Sequence, residues 1–208
     1  MPKEIEKLIN GNKLFREKFF NKDKSLFDDL IQGQKPKIML ISCSDSRVDP
    51  AIIFNCEPGE LFVVRNVANL VPPCEADDTF HGISAALEFG TCFLEVRNII
   101  IFGHTQCGGI QSLFNKSQIL NKAYSFISKW MQLAKPAYDK VMQQKDLSLE
   151  EKVTLCEKYS LINSLKNLKT FPWIKERVDK NKLFLHTWCF NLSTGKIEIY
   201  DQQNNKWN

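Results

Sequence analysis

Apolar residues recur at three- and four-residue intervals near the N-terminus, a spacing that predicts amphipathic helix. The pattern is formed by Ile5, Leu8, Ile9, Leu14, Phe15, Phe19 and Phe20, and then by Leu26, Phe27, Leu30 and Ile31. A lysine-rich break at residues 22–24 separates the two parts, and Gly33 ends the second. We therefore expect a helical arm over residues 1–33. Such an arm packs on its own domain more often than on another subunit, and both arrangements remain open.

From Pro36 onward the pattern changes to short apolar runs that end in small polar residues. The runs lie at residues 37–42, 61–64, 98–102, 183–187 and 196–200. The first four are typical of buried parallel strands, and the fifth, which follows a turn, is expected to be an antiparallel edge strand. Residues 79–93 predict a helix of about four turns between the second and third strands, with Thr79 as its N-cap.

Residues 111–180 are predicted to be mostly helical, with breaks at Pro136 and Pro172 and a helix start at Ser148. Alternation of strands and helices indicates an α/β fold, in which helices flank a central, mostly parallel sheet. No linker or internal repeat divides the chain. We expect a single domain over residues 1–208, with the helical arm as its N-terminal part.

Charge and hydropathy exclude several classes of protein. The chain carries 28 basic and 24 acidic residues, and the resulting net charge of +4 has no clustered basic stripe. Nucleic acid is therefore not an expected partner. No apolar stretch approaches the roughly 20 residues needed to cross a bilayer, and the charged N-terminus does not resemble a signal peptide. We expect a soluble, cytoplasmic protein with no membrane partner.

Seven cysteines without a CxxC pair are expected to be mostly reduced thiols. Core packing is the favoured interpretation for the five that stand in apolar or neutral contexts: Cys56, Cys74, Cys92, Cys156 and Cys189. His81 is interpreted as a structural histidine, and His186 as a core residue or a hydrogen-bond anchor.

The remaining two cysteines follow predicted strands, where ligands bind in parallel sheets. Cys43 ends the first strand, and the unit His104-Thr-Gln-Cys107 follows the third. Two thiolates and one imidazole would bind zinc tetrahedrally with one position left open, which is the arrangement of a catalytic zinc. Two glycines after Cys107 would let the backbone turn tightly beside the metal.

Asp45 and Arg47 form the second part of this candidate site. In an extended segment, residues two apart point to the same side, so both side chains are expected to share a face with Cys43. Arg47 can hold the Asp45 carboxylate through its planar fork of donors. Held in this way, the carboxylate can orient a reacting water. Released, it could occupy the open metal position.

These residues resemble the signature of the β-class carbonic anhydrases. The family combines a CxDxR unit (Cys43, Asp45 and Arg47) with HxxCGG at residues 104–109, as this chain does. The sequence PGELFVVRNVAN at residues 58–69 and the SAALEF segment at residues 84–89 also match. The resemblance is strong over residues 34–109 and weaker to residues 183–201. It points to the plant-like branch with an open zinc.

The resemblance implies a zinc lyase that interconverts carbon dioxide and bicarbonate by attack of zinc-bound hydroxide on CO₂. It implies one Zn²⁺ per chain on Cys43, His104 and Cys107, with Asp45 and Arg47 as the catalytic pair. Substrate-binding positions are implied for Gln34, Phe62, Val67, Phe89 and Gly108. Phe62, Val67 and Phe89 would form the apolar wall of the CO₂ pocket, and the Gly108 N–H would lie beside the zinc.

Three positions refine this expectation. The resemblance places Gln34 in the active site of a neighbouring chain, which implies a homodimer or homotetramer. Phe89 stands where a tyrosine is often found in the family. Leu40 stands where the branch with a regulatory bicarbonate site carries a tryptophan, so that site is not expected here.

Two other functions remain open from the sequence. A related zinc hydrolase that acts on carbon disulfide or carbonyl sulfide would share these ligands. A non-enzymatic zinc protein, in which Asp45 permanently caps the metal, is the second, although a purely structural site would not need Arg47. No residue in the sequence is an obvious proton shuttle.

Overall fold

The computed structural model describes residues 1–75, 79–115 and 126–208. The chain divides into two compact units, Met1–Lys35 and Pro36–Asn208. The strands are β1 (Ile38–Cys43), β2 (Leu61–Asn66), β3 (Asn98–His104), β4 (Phe184–Phe190), β5 (Ile197–Asp201) and β6 (Lys206–Trp207). The helices are α1 (Lys3–Arg16), α2 (Ser25–Leu30), α3 (Pro50–Ile53), α4 (Gly82–Glu88), α5 (Gly108–Phe114), α6 (Phe126–Met131), α7 (Lys135–Met142), α8 (Leu149–Leu168) and α9 (Pro172–Asp179). Within the described ranges, no helix combines the length and apolar character needed to cross a bilayer.

The first unit is the predicted helical arm. Helices α1 and α2 are joined by a wide helical turn at Glu17–Lys22, and the lysine-rich break precedes α2 as expected. The rings of Phe15, Phe19 and Phe27 pack on one another, with centroids 4.9 to 5.8 Å apart. Leu8 and Leu14 remain about 70% exposed. The arm thus has a small aromatic cluster of its own and an uncovered apolar stripe.

The second unit is built on one sheet with strand order β2-β1-β3-β4-β5-β6. The four strands from β2 to β4 are parallel, and β5 and β6 are antiparallel to their neighbours. This confirms the predicted mostly parallel sheet. The two-residue strand β6 was not predicted, and it pairs with the outer edge of β5 through Tyr200 and Trp207.

Both faces of the sheet are covered, which explains why the central strands are almost wholly apolar. Met39 and Ile41 face a core shared with α8 and α9, whereas Leu40 faces a second core that contains Val48 and Phe102. The three β1 side chains have no exposed surface. The site residues therefore follow strands that are almost wholly buried in the unit.

The helix starts agree with the sequence in part. Ser148 caps α8 in a capping box with Glu151, as predicted. Pro136 and Pro172 lie in the first turns of α7 and α9, where a missing N–H costs nothing. Part of the region predicted to be mostly helical, residues 116–125, lies outside the described residues.

The expected Thr79 cap was wrong. Helix α4 begins at Gly82, and the residue before it, His81, has a non-helical backbone that keeps Thr79 outside the helix. His81 instead bonds the Thr79 hydroxyl at 2.9 Å. After Glu88 the helix continues into a wide turn at Phe89–Phe93.

The five cysteines assigned to the core divide into three groups. Cys156 and Cys189 are buried, as predicted, and Cys56 and Cys74 are partly buried. Cys92 is exposed, so its assignment to the core was wrong. It lies in the wide turn after α4, where the neighbouring Phe93 also faces outward. His186 is a hydrogen-bond anchor, since its Nε2 lies 3.0 Å from Asn98 Oδ1.

Candidate active site

The segment after β1 forms a tight turn rather than the extended face expected from the sequence. The Asp45 side chain accepts a hydrogen bond from the Arg47 backbone N–H at 3.0 Å, and the Val48 N–H bonds the Asp45 carbonyl at 3.0 Å. An aspartate that bonds the backbone two residues ahead stabilises such a turn. The turn, not an extended alternation, brings Asp45 and Arg47 together.

Arg65 of β2 braces this turn from the neighbouring strand. Its Nε donates to the Cys43 carbonyl at 2.9 Å, and its Nη2 donates to the Asp45 and Val48 carbonyls at 2.8 Å each. Three carbonyls held by one guanidinium fix the path of the chain from the first thiol to the carboxylate. In the sequence, Arg65 is distinguished only by its place in the matching segment at residues 58–69.

The second ligand-bearing segment connects β3 to α5. His104 ends β3, and Cys107 immediately precedes the first residue of α5. The left-handed residue in this connection is Gln106, with φ 58°. The tight turn therefore lies before the two glycines, which was not expected.

Gly109 has a packing reason instead. A Cβ at this position would lie 3.0 Å from the Ala68 Cβ and 3.1 Å from the Val67 Cγ1. Glycine lets the start of α5 approach the segment after β2 closely. A Cβ at Gly108 would meet nothing within 4 Å, so that position borders open space.

Cys43, His104 and Cys107 converge as predicted. One ligand atom from each lies within 4.8 Å of the other two, and all three residues are buried. The His104 Nδ1 lies 2.8 Å from the Thr105 carbonyl, which can only accept, so Nδ1 carries the proton. Nε2 is buried without a hydrogen-bond partner among the described residues. A lone pair on this nitrogen, beside two thiols, fits zinc.

The electrostatics of the two thiols also favour a cation. A hydrogen bond from Cys107 lowers the pKa of Cys43 to about 4, against the effect of burial, and the backbone N–H groups of Asp45 and Ala68 contribute further. Cys43 in turn raises the pKa of Cys107 far above its usual range, and burial adds to this. Two adjacent thiolates repel each other. Both can be ionised together only when a positive ion lies between them.

The Asp45 carboxylate lies at the rim of this set. Arg47 holds it with two hydrogen bonds, from Nε to Oδ1 at 2.9 Å and from Nη2 to Oδ2 at 2.7 Å. These bonds keep the pKa of Asp45 well below its usual range, and the bond to the Arg47 backbone adds to the effect. Asp45 Oδ2 is 3.8 Å from the His104 Nε2. The ionised Asp45 carboxylate therefore has one oxygen, Oδ2, fixed close to a candidate metal-ligand atom.

The proposed substrate positions lie in different parts of the chain. Val67 is 40% exposed and lies against the start of α5 beside Gly109. Phe62 and Phe89 pack on each other with ring centroids 6.0 Å apart, and Phe89 is 43% exposed. Gln34 belongs to the first unit, so its predicted role stays a prediction.

A residue that the sequence did not single out lies behind the site. Glu157 of α8 is only 3% exposed, and its Oε1 accepts a hydrogen bond from the Cys107 backbone N–H at 2.9 Å. Burial raises the pKa of Glu157 to about 7. A glutamate within a charged helical segment is ordinarily exposed. Only the fold shows that this one is directed inward.

Comparison with known proteins agrees with this site. A family model described as carbonic anhydrase matches residues 38–197. Beta carbonic anhydrase 3 of Arabidopsis thaliana is 38% identical over 200 residues, which cover 95% of this chain and 77% of that protein. The solved structure of the β-carbonic anhydrase CcaA has 33% identity and a TM-score of 0.92, and the match covers 100% of this chain and 92% of CcaA.

A tetrameric β-carbonic anhydrase from the filamentous ascomycete Sordaria macrospora is also similar, with 25% identity and a TM-score of 0.83 over 95% of this chain and 97% of that one. The family model and the Arabidopsis relative each cover most of the sequence, including both ligand-bearing segments. This chain belongs to the β-class carbonic anhydrases, zinc enzymes that hydrate carbon dioxide.

Proposed function

We propose that the chain catalyses the reversible hydration of CO₂ to bicarbonate and a proton, with Cys43, His104 and Cys107 as the zinc ligands. One observation carries this assignment: the three ligand atoms converge within 4.8 Å, beside a carboxylate that Arg47 holds with two hydrogen bonds. A purely structural zinc usually has four protein ligands. Three ligands and a restrained carboxylate favour a site that leaves one position for a reacting molecule.

Zinc held by these residues would supply a nucleophile near neutral pH, because the metal acidifies a bound water molecule. Asp45 then orients this nucleophile by accepting a hydrogen bond on the oxygen nearest the site. Arg47 keeps the carboxylate ionised and fixed, so the acceptor is in place before substrate arrives. Arg65 supports both residues through the carbonyls of their turn.

Carbon dioxide has no charge to bind, so an apolar pocket beside the metal is the appropriate receptor. Val67 lies next to Gly109 at the start of α5, and Phe62 and Phe89 form an aromatic pair with ring centroids 6.0 Å apart. We assign the CO₂-facing wall to these three residues. The Gly108 N–H and the Gln34 amide would bind the oxygens of the substrate.

We further propose that the chain acts as a homodimer, or as a homotetramer built from two dimers. The exposed Leu8 and Leu14 of the arm support this, because a partner would bury them. The Sordaria macrospora relative is tetrameric. We also place the enzyme in the cytoplasm, which is supported by all seven cysteines being free. Fractionation of cells with an antibody to the chain tests this location.

Stopped-flow measurement of CO₂ hydration by the purified, zinc-assayed protein, from about pH 6.5 to 9, tests the activity directly. A paired assay of sulfide release from carbon disulfide and carbonyl sulfide separates the alternative hydrolase. Hydration with little sulfide release supports the proposal. Sulfide release without hydration, or zinc without either activity, would overturn it.

A further inference from the structure

The peptide group between Gln106 and Cys107 is held from both sides. On one side, the Gln106 carbonyl accepts a hydrogen bond from Arg47 Nη2 at 3.1 Å. On the other side, the Cys107 N–H donates to Glu157 Oε1 at 2.9 Å. Because the carbonyl and the N–H belong to one rigid, planar unit, a displacement at either end moves the other. Glu157 is thereby connected to the Asp45–Arg47 pair through a single peptide.

This peptide needs support because of its backbone conformation. Gln106 has φ 58°, a left-handed backbone value that residues other than glycine rarely adopt. Such residues persist where surrounding contacts hold them in place. The two hydrogen bonds on the Gln106–Cys107 peptide are contacts of this kind, and one of them comes from Glu157.

The burial of Glu157 is not explained by an ion pair with a neighbouring basic residue. It is 3% exposed on α8, and its nearest basic neighbour in sequence, Lys158, is paired with Glu198 instead. Within the described residues, its Oε2 has no hydrogen-bond partner. Burying a carboxyl group is unfavourable unless hydrogen bonds replace those it made to water. Its Oε1 accepts the hydrogen bond from the Cys107 N–H, and that bond is the evident reason for its position.

We propose that Glu157 is a positioning residue of the active site. By accepting the Cys107 N–H, it fixes the peptide that carries the second thiol ligand and anchors Arg47, and so it sets the place of the Cys107 Sγ and the orientation of Asp45 together. The inference rests on the proposed roles of those three residues. It needs only an acceptor atom at Glu157, not a charge.

Substitutions at Glu157 test this by separating the acceptor from the charge. Glu157→Met keeps the approximate size and removes the acceptor, whereas Glu157→Gln keeps an acceptor and removes the charge. We expect Glu157→Met to lower kcat by roughly 10- to 100-fold, the usual effect of losing a residue that supports a metal ligand. Glu157→Gln should stay within about threefold of the original enzyme, because the amide oxygen restores the same bond.

A second readout does not depend on activity. Cobalt(II) substituted for zinc gives thiolate-to-metal absorption bands that respond to the position of each sulfur. We expect these bands to shift in Glu157→Met, with faster loss of the metal to a chelator, and to return in Glu157→Gln. If the original enzyme itself does not hydrate CO₂, the proposed function fails, while the cobalt spectra still decide the role of Glu157.

Ser164 provides a matched control on the same helix. It is buried, and its Oγ accepts a hydrogen bond from the Val71 backbone N–H at 3.2 Å, far from the Gln106 turn in sequence. Ser164→Ala should lower thermal stability without changing kcat or the cobalt bands. The proposal is overturned if Glu157→Met has the original spectrum and activity, or if Ser164→Ala shifts the bands as much.

A further variant keeps the test decisive if Glu157→Met does not fold. Glu157→Asp retains the charge but withdraws the carboxylate by one methylene. We expect it to show the shifted cobalt bands and a reduced kcat. Original values of both in Glu157→Asp would overturn the positioning role.

Discussion

Arg47 binds Asp45 through two hydrogen bonds of 2.9 and 2.7 Å, and the same guanidinium also reaches the carbonyl of Gln106. The arginine therefore joins the two chain segments that carry the metal ligands. A carboxylate held by a planar fork is restricted in direction as well as in charge. Asp45 is accordingly a fixed acceptor rather than a mobile acid.

Replacing Asp45 should separate chemistry from metal binding. Asp45→Asn keeps the shape of the side chain but removes the charge that Arg47 holds, so we expect CO₂ hydration to fall at least about tenfold. General acid–base and positioning roles typically contribute about 10²–10⁴-fold, which sets the scale of the loss. Zinc should remain bound. Asp139→Asn is the control, since Asp139 lies on α7 and pairs with Lys135 instead. Equal activity of Asp45→Asn and the original enzyme would make Asp45 only structural.

The zinc ligands make a prediction about metal content. Purified protein should contain one zinc per chain, and Cys43→Ser, His104→Ala and Cys107→Ser should each lose it, because no other thiolate or imidazole can replace them. Cys156→Ala, which changes a buried thiol outside the set, should keep full zinc. Metal analysis after dialysis is the measurement. Full zinc in the Cys107 variant would contradict the ligand assignment.

The arm makes a prediction about assembly. Deleting residues 1–22 should shift the protein toward smaller species, because a partner would lose the apolar stripe that it buries. Activity should fall as well, because Gln34 would no longer be held in the partner's active site. Zinc content should not change. Sedimentation at micromolar concentration compares the deletion with Lys7→Ala, a polar change on α1 that we expect to leave assembly intact. A fully active monomer of the intact chain would refute the shared site.

The free thiols should differ in their reaction with alkylating agents. Burial raises the pKa of Cys156 and of Cys189 to about 12, so at pH 8 to 9 these groups remain protonated in the folded state. Exposed Cys92 should be labelled at least about tenfold faster than either. Raising the pH toward 12 ionises the buried thiols and should narrow the difference. Mass spectrometry of the labelled peptides is the measurement, and equal rates in folded protein would contradict it.

A glycine in β3 should resist enlargement. A Cβ at Gly103 would lie 2.7 Å from the Leu161 Cδ2, and Leu161 is fully buried on α8. Gly103→Ala should therefore lower the free energy of unfolding by about 1–3 kcal/mol, as overpacking does. Gly82→Ala, where an added Cβ meets nothing within 4 Å, should not destabilise the protein. Denaturant unfolding of both variants tests this, and equal stability would show that Leu161 can move aside.

Local sequence was sufficient to predict most of the fold and the metal-binding triad. The apolar runs that became β1 and β3 are unbroken, and the polar clusters that follow them contain unusual residue types. Because parallel strands bring their carboxyl ends to one edge, two distant clusters could be placed together without knowing the coordinates. The Ser148 capping box was equally local.

The parts that sequence did not reveal depend on contacts between distant segments. Glu157 meets Cys107 across 50 residues, and Arg65 meets Asp45 across 20. Neither contact leaves a periodic signal in the chain. The left-handed Gln106 was missed because its conformation is imposed by its partners, whereas glycine, the residue usually associated with such turns, lies two positions later.

The sheet order has a consequence for the durability of the enzyme. Strands β1 and β3 are neighbours, yet Cys43 and His104 are separated by about 60 residues of chain. A zinc ion bound to both closes this loop as a cross-link does, and unfolding that parts the two strands must release it. The free energy of unfolding should then increase with free zinc, by about 4 kcal/mol when the zinc concentration is a thousand times the dissociation constant. The stability of the folded protein should therefore depend on the supply of metal as well as on its amino-acid sequence.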